Sequence, residues 1–174
     1  MLVGAPHASA QVCVPPPPGI VAWWPLDETA GRVANDIVGN HNGAYVDSVT
    51  VATPVAGKVA GGLRFGGPND FTGPHVEVPD SDVWAFGSND FTIELWANFD
   101  TNGTGSLGLP GDVFVGSDDG GGPNNKWFFA LGGAVLNFHM FNLAGGGPNF
   151  VALALFFPVI GQWYHLAVTR EGTL

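Results

Sequence analysis

The sequence predicts an all-β chain folded as a two-sheet antiparallel β-sandwich, and three observations carry that expectation. Apolar or alternating runs of about four to nine residues recur along the chain, the length of strands rather than helices. Glycine- and proline-rich turn signals separate these runs at short intervals. No long window combines apolar residues at i, i+3, i+4 and i+7 with helical caps. Sheets built from such strands bury one face and wet the other.

Taken in order, the chain first shows four consecutive prolines, Pro15 to Pro18, which favour an extended spacer without internal hydrogen bonds. The domain is expected from Gly19. The first run is IVAWWPL, and the Glu28–Gly31 turn follows it. GAYV comes after a turn rich in glycine and asparagine at 39–43, and LRF after Gly61-Gly62. HVEVP leads to the loop PDSDVWAFGSND and then to FTIELWANF. In that last strand Phe91, Ile93, Leu95, Ala97 and Phe99 are apolar, and Thr92, Glu94 and Asn98 are polar. Trp96 breaks the alternation, a large aromatic on the face that meets water. DVFV, KWFFAL, VLNFHMF, VALALFF and WYHLAVTR complete the set. After the turn at Glu171-Gly172 the chain ends where a partner strand would begin, so it is read as apparently truncated at the C-terminus.

At 174 residues the chain fits one domain with a sizeable core. Its 27 glycines and 14 prolines approach a composition typical of disorder, but 45% of the residues are hydrophobic, too much apolar surface for a disordered chain. The glycines and prolines therefore read as turns. Fifteen acidic residues stand against five basic ones, a net charge of -10. Nucleic acid is an unsuitable partner, because Arg32, Lys58, Arg64, Lys126 and Arg170 are scattered rather than clustered against phosphates. An acidic surface suits hard cations, or simply keeps the sandwich soluble.

The lone cysteine, Cys13, excludes a disulfide framework within the chain. No apolar run approaches the roughly 18 residues needed to cross a bilayer as a helix, so no membrane insertion is expected. Ala8-Ser9-Ala10 fits the small-x-small pattern of a signal-peptide cleavage site. Residues 1–18 are thus expected to be a signal-peptide remnant and proline-rich lead-in, and the protein to be secreted or held at the cell surface.

The ordered set WWPLDE, NDIVGNHNGAY, PVAGKVAGGLRFGG, HVEVPDS, FTIELWANF and QWYHLAVTREG resembles the laminin-G-like, concanavalin-A-like jelly-roll domains common in secreted bacterial proteins. The resemblance covers 19–174 and implies a jelly roll. One departure concerns the family's Phe-Asp-Gly, turn, Asp-Tyr-Val, which is here Phe65-Gly66-Gly67 with Asp70 on a longer link.

The same fold houses glycosidases whose acids alternate on one strand, but the matching strand offers Glu94, Trp96 and Asn98, without the acid pair. His75 and Glu77 share a strand face with no nucleophile beside them, a polar rim contact. The five histidines show neither HxxxH nor HExxH spacing, so zinc hydrolysis has no support. No enzyme is expected.

Calcium is a candidate cofactor at Asp36 and Asn40, because DIVGNHNG gathers one carboxylate, amides and glycines in a tight loop. The same residues also suit plain turn formation. Asp118-Asp119 is a second oxygen cluster or a solvated loop. Sugar binding needs flat aromatic faces beside short polar groups. Trp84, Glu94, Trp96 and Trp127 form the candidate ligand set, each aromatic having core packing as its alternative. For Trp96 in particular, burial beneath a covering loop or terminal segment is the expectation. The chain thus reads as a non-catalytic extracellular module that recognises carbohydrate or another cell-surface ligand within a longer protein. The alternatives are a structural or adhesive spacer, or an accessory domain of a glycoside hydrolase.

Overall fold

The computed structural model of the chain describes residues 15–47, 51–66, 73–101, 111–118, 126–141 and 150–172. Ala8-Ser9-Ala10, Cys13, Asp70 and Asp119 lie outside the described residues. Eleven strands occur among those described, with one short 3-10 turn and no α-helix: β1 (Val33–Ala34), β2 (Gly43–Val46), β3 (Thr53–Ala56), β4 (Gly61–Arg64), β5 (His75–Glu77), the 3-10 turn Asp82–Trp84, β6 (Phe91–Asn98), β7 (Asp112–Ser117), β8 (Lys126–Gly132), β9 (Val135–Phe141), β10 (Phe150–Leu155) and β11 (Trp163–Arg170). Every pairing is antiparallel. The all-β antiparallel expectation therefore holds.

Two layers enclose the core. One is the β6–β11 ladder, in which all eight residues of each strand pair. The other is the sheet ordered β10-β9-β8-β7. The alternation of FTIELWAN becomes a strict inner and outer division, with Phe91, Ile93, Leu95 and Ala97 turned towards the core cluster of Phe99, Trp127, Phe129, Leu131, Phe138, Met140 and Leu166. The inner face is built of aromatics in tilted and edge-on contact, such as Phe91 with Phe138 at 5.4 Å and Phe114 with Phe129 at 5.4 Å. Such pairs add stabilisation beyond the area they bury.

Smaller sheets, β1-β2-β5 and the β3–β4 hairpin, complete the fold. The hairpin turn depends on Gly57, where a Cβ would lie 1.8 Å from Gly61 O. The turn then carries Lys58 to its tip.

One expected strand is absent. IVAWWPL is irregular because its backbone is engaged elsewhere: Trp23 N–H donates to the Asp36 carboxylate at 2.8 Å, Pro25 has no N–H, and Leu26 sits at φ 57°. Conversely, Thr53–Ala56 pairs with β4 although no apolar alternation marks it.

Candidate functional site

The wet face of the β6–β11 ladder places Thr92, Glu94, Trp96 and Asn98 opposite Thr169, Ala167, His165 and Trp163 respectively. Pleating sends these side chains away from the core, because alternate residues of a strand face opposite ways. Trp96 is 47% exposed, so the expectation that a loop covers it is corrected. The strand period leaves its ring no route to the core while its neighbours Leu95 and Ala97 point inwards.

Three groups surround that ring. His165 is its direct cross-strand partner, with ring centroids 5.0 Å apart. Glu94 Oε2 lies 3.4 Å from His165 Nε2, a diagonal contact across the ladder. The Lys58 ammonium, delivered by the β3–β4 turn, stands 5.4 Å from the Trp96 ring centroid in cation–π geometry. Asn98 completes one end, its amide donating to Gly161 O at 3.0 Å. The result is an exposed aromatic plate edged by a carboxylate, an imidazole and an ammonium.

Trp84 and Trp127 do not join this face. Trp127 is 7% exposed and packs in the core against Phe86 and Phe138, so its expected ligand role is corrected to packing. Its Nε1–H donates to Trp84 O at 2.8 Å. Trp84 is half-buried, with His41 against its ring at 4.9 Å and Trp24 at 5.8 Å. It fastens the Asp36 loop to the sandwich.

The Asp36 loop is organised from within. Asp36 Oδ1 accepts from Trp23 N and Val38 N, and Oδ2 from Gly39 N and His41 N, all at 2.8–3.0 Å. His41 Nδ1 is a further contact at 3.2 Å, and the Asp36 side chain is fully shielded from solvent. Burial alone would raise its pKa, yet the four backbone N–H donors outweigh that and hold the carboxyl far below the usual carboxylate range. Gly39 lets the loop close, since a Cβ there would lie 2.2 Å from Val21 O.

A carboxylate has about four lone-pair sites, and here four N–H groups fill them. Calcium prefers six to eight free oxygens, so these residues do not fit the expected ion. Asn40, at φ 62°, is exposed and forms the turn. Among the described residues no group of three or more His, Cys, Asp or Glu side chains is arranged to hold a metal. Asp118 pairs with Lys126 at the end of β7.

Nor is there a carboxylate pair on the β6–β11 face, where Glu94 is the single acid among the register partners. His75 Nδ1 lies 3.1 Å from Gly73 O in its own loop.

His165 and Lys58 escaped sequence reasoning. The alternation of WYHLAVTR could have flagged His165, given its register with FTIELWAN. Lys58 carries no such signal, because only the placement of the hairpin brings it over Trp96.

A family model of the concanavalin A-like lectin/glucanases superfamily matches residues 70–174. The matched span contains β5 to β11, hence both layers of the sandwich and all of the plate except Lys58. Comparison with curated proteins and with solved structures gave no significant match. With more than half of its length matched and its strands stacked as an antiparallel sandwich, the chain belongs to the concanavalin A-like lectin/glucanases superfamily.

Proposed function

We propose that the protein is a non-catalytic binding module that holds carbohydrate on the outer face of the β6–β11 ladder. The observation that carries this reading is the half-exposed Trp96 ring with Glu94 and His165 beside it. A flat aromatic covers the apolar side of a sugar ring, and short polar groups at its rim meet the hydroxyls. Hydrolysis of a glycosidic bond by the common route requires two carboxyls flanking it, and the face has Glu94 alone. Binding is independent of calcium in this reading, because the Asp36 carboxylate is spent on backbone N–H groups. The setting is extracellular, within a longer multi-domain protein, in keeping with Ala8-Ser9-Ala10 and the proline lead-in.

The test is retention of the full chain on a panel of immobilised polysaccharides, with Trp96→Ala alongside. Retention that Trp96→Ala abolishes, with the melting transition preserved, supports the reading. No retention of the folded protein on any of them sinks it.

A second reading, adhesion through protein contact, is favoured by a different surface. Among the described residues β10 pairs on one side only, with β9, and Val151, Leu153, Leu155 and Phe157 are all exposed there. An open edge with apolar side chains is a template for strand addition. Leu153→Lys would abolish such adhesion and leave sugar retention intact.

A further inference from the structure

The charges around Trp96 specify the kind of sugar. This inference rests on the reading of the face as a carbohydrate platform. The chain has five lysines and arginines. Arg32 pairs with Asp47, Arg64 with Asp100 and Lys126 with Asp118. Arg170 is buried and spends its guanidinium on Gly87 O, Asn89 O and the Phe91 ring. Among the described residues Lys58 is the one cation with neither a carboxylate nor a backbone carbonyl as partner, in a protein with fifteen acids. It stands over the exposed Trp96 ring instead.

Glu94 does not neutralise that ammonium. Its carboxylate is turned to His165, across the ladder from the ring. The site is therefore asymmetric, with a hydrogen-bonding acid and imidazole on one side and an unmatched cation on the other.

We propose that the ligand seated on Trp96 is an anionic sugar residue, a uronate or a sulfate ester, whose charge meets the Lys58 ammonium. To stack on the indole, any sugar must move Lys58 off the ring face, which its flexible four-carbon stem permits. A neutral sugar takes the cation–π contact away and offers the ammonium only an uncharged hydroxyl acceptor. An anionic sugar replaces that contact with a hydrogen bond in which donor and acceptor are both charged. The protein's distant acids oppose the ligand little, because screening confines their repulsion to about 8 Å at physiological salt. Inside that distance Lys58 decides.

The experiment is calorimetric titration of the full chain, at about 0.15 M salt, with three galacto-oligosaccharides of equal length: a galacturonate, a sulfated galactan and a neutral galactan. Wild type is expected to bind at least one acidic form about fivefold or more tighter than the neutral one. Tighter binding of the galacturonate alone assigns a carboxylate ligand, and of the sulfated form alone a sulfate ester. Lys58→Gln should bring the affinity for the acidic sugar down to that for the neutral one measured on the same variant, and Lys58→Arg should keep the preference. Equal or tighter binding of the neutral sugar, lost in Trp96→Ala, overturns the anionic preference and leaves the platform standing. A preference that persists in Lys58→Gln overturns it too. Binding of none of the three overturns both.

Discussion

Trp96 and His165 face each other directly across the β6–β11 ladder, with ring centroids 5.0 Å apart on the side away from the core. Their contact joins two strands already held by eight register pairs, so it adds little to the fold. Trp96→Ala should change stability by no more than about 1 kcal/mol, the scale of an exposed cross-strand pair and an exposed cation–π contact. Binding to a retained polysaccharide should fall at least about tenfold, since aromatic anchors dominate such interfaces. Denaturant melts and affinity electrophoresis of the same preparation check both halves.

Trp127→Ala should behave in the opposite way. Its ring fills the core between Phe86 and Phe138 and anchors Trp84 O, so removing it leaves a cavity and a lost hydrogen bond. The expected loss is about 3–5 kcal/mol. Urea unfolding of the variant measures it, and a loss below about 1 kcal/mol would contradict the core assignment.

Asp36→Ala removes the acceptor of four backbone N–H groups and should cost about 3–4 kcal/mol, even with water entering the loop. The carboxyl has a depressed pKa in the folded chain. Its contribution is therefore present above the ordinary value of 3.8 and is lost as the pH falls below that value towards the folded one. Thermal melts from pH 6 down to pH 2 should show wild type losing stability below about pH 4. Asp36→Asn should show a shallower loss over that range, because the titrating group is gone.

The melting temperature should be the same in millimolar calcium and in EDTA. A ligand that binds only the folded state raises its stability, and the Asp36 loop has no carboxylate oxygen to offer one. An upward shift in calcium that Asp36→Ala removes would overturn this account of the loop.

Arg170 ties the end of β11 to the turn before β6. Its guanidinium donates to Gly87 O and Asn89 O, and Gly172 N–H donates to Asp90 Oδ1 at 2.8 Å. Arg170→Lys should be nearly as destabilising as Arg170→Met, at about 2–3 kcal/mol, because lysine's ammonium falls one bond short of the Nη2 that donates to both carbonyls and has no planar face to lay on Phe91. Chemical denaturation of the two variants tests that equivalence.

The sequence by itself determined the all-β class, most of the strands and the faces of β6. Those follow from period-two alternation and from glycine-rich turns, which are local properties of the chain. It also named Glu94 and Trp96 and excluded an acid pair on their strand, since neighbouring residues of one strand need no tertiary information. The tertiary structure decided the rest. Trp127 stood beside Trp96 as a candidate ligand residue with core packing as the alternative, and only its packing against Phe86 and Phe138 in the fold made it a core residue. IVAWWPL read as a strand until a distant carboxylate claimed the Trp23 N–H. Asp36 carried the composition of a cation loop, but where four N–H groups point is a matter of folded geometry. Lys58 met Trp96 through a hairpin 38 positions earlier in the chain, and no periodicity records a contact between elements so far apart.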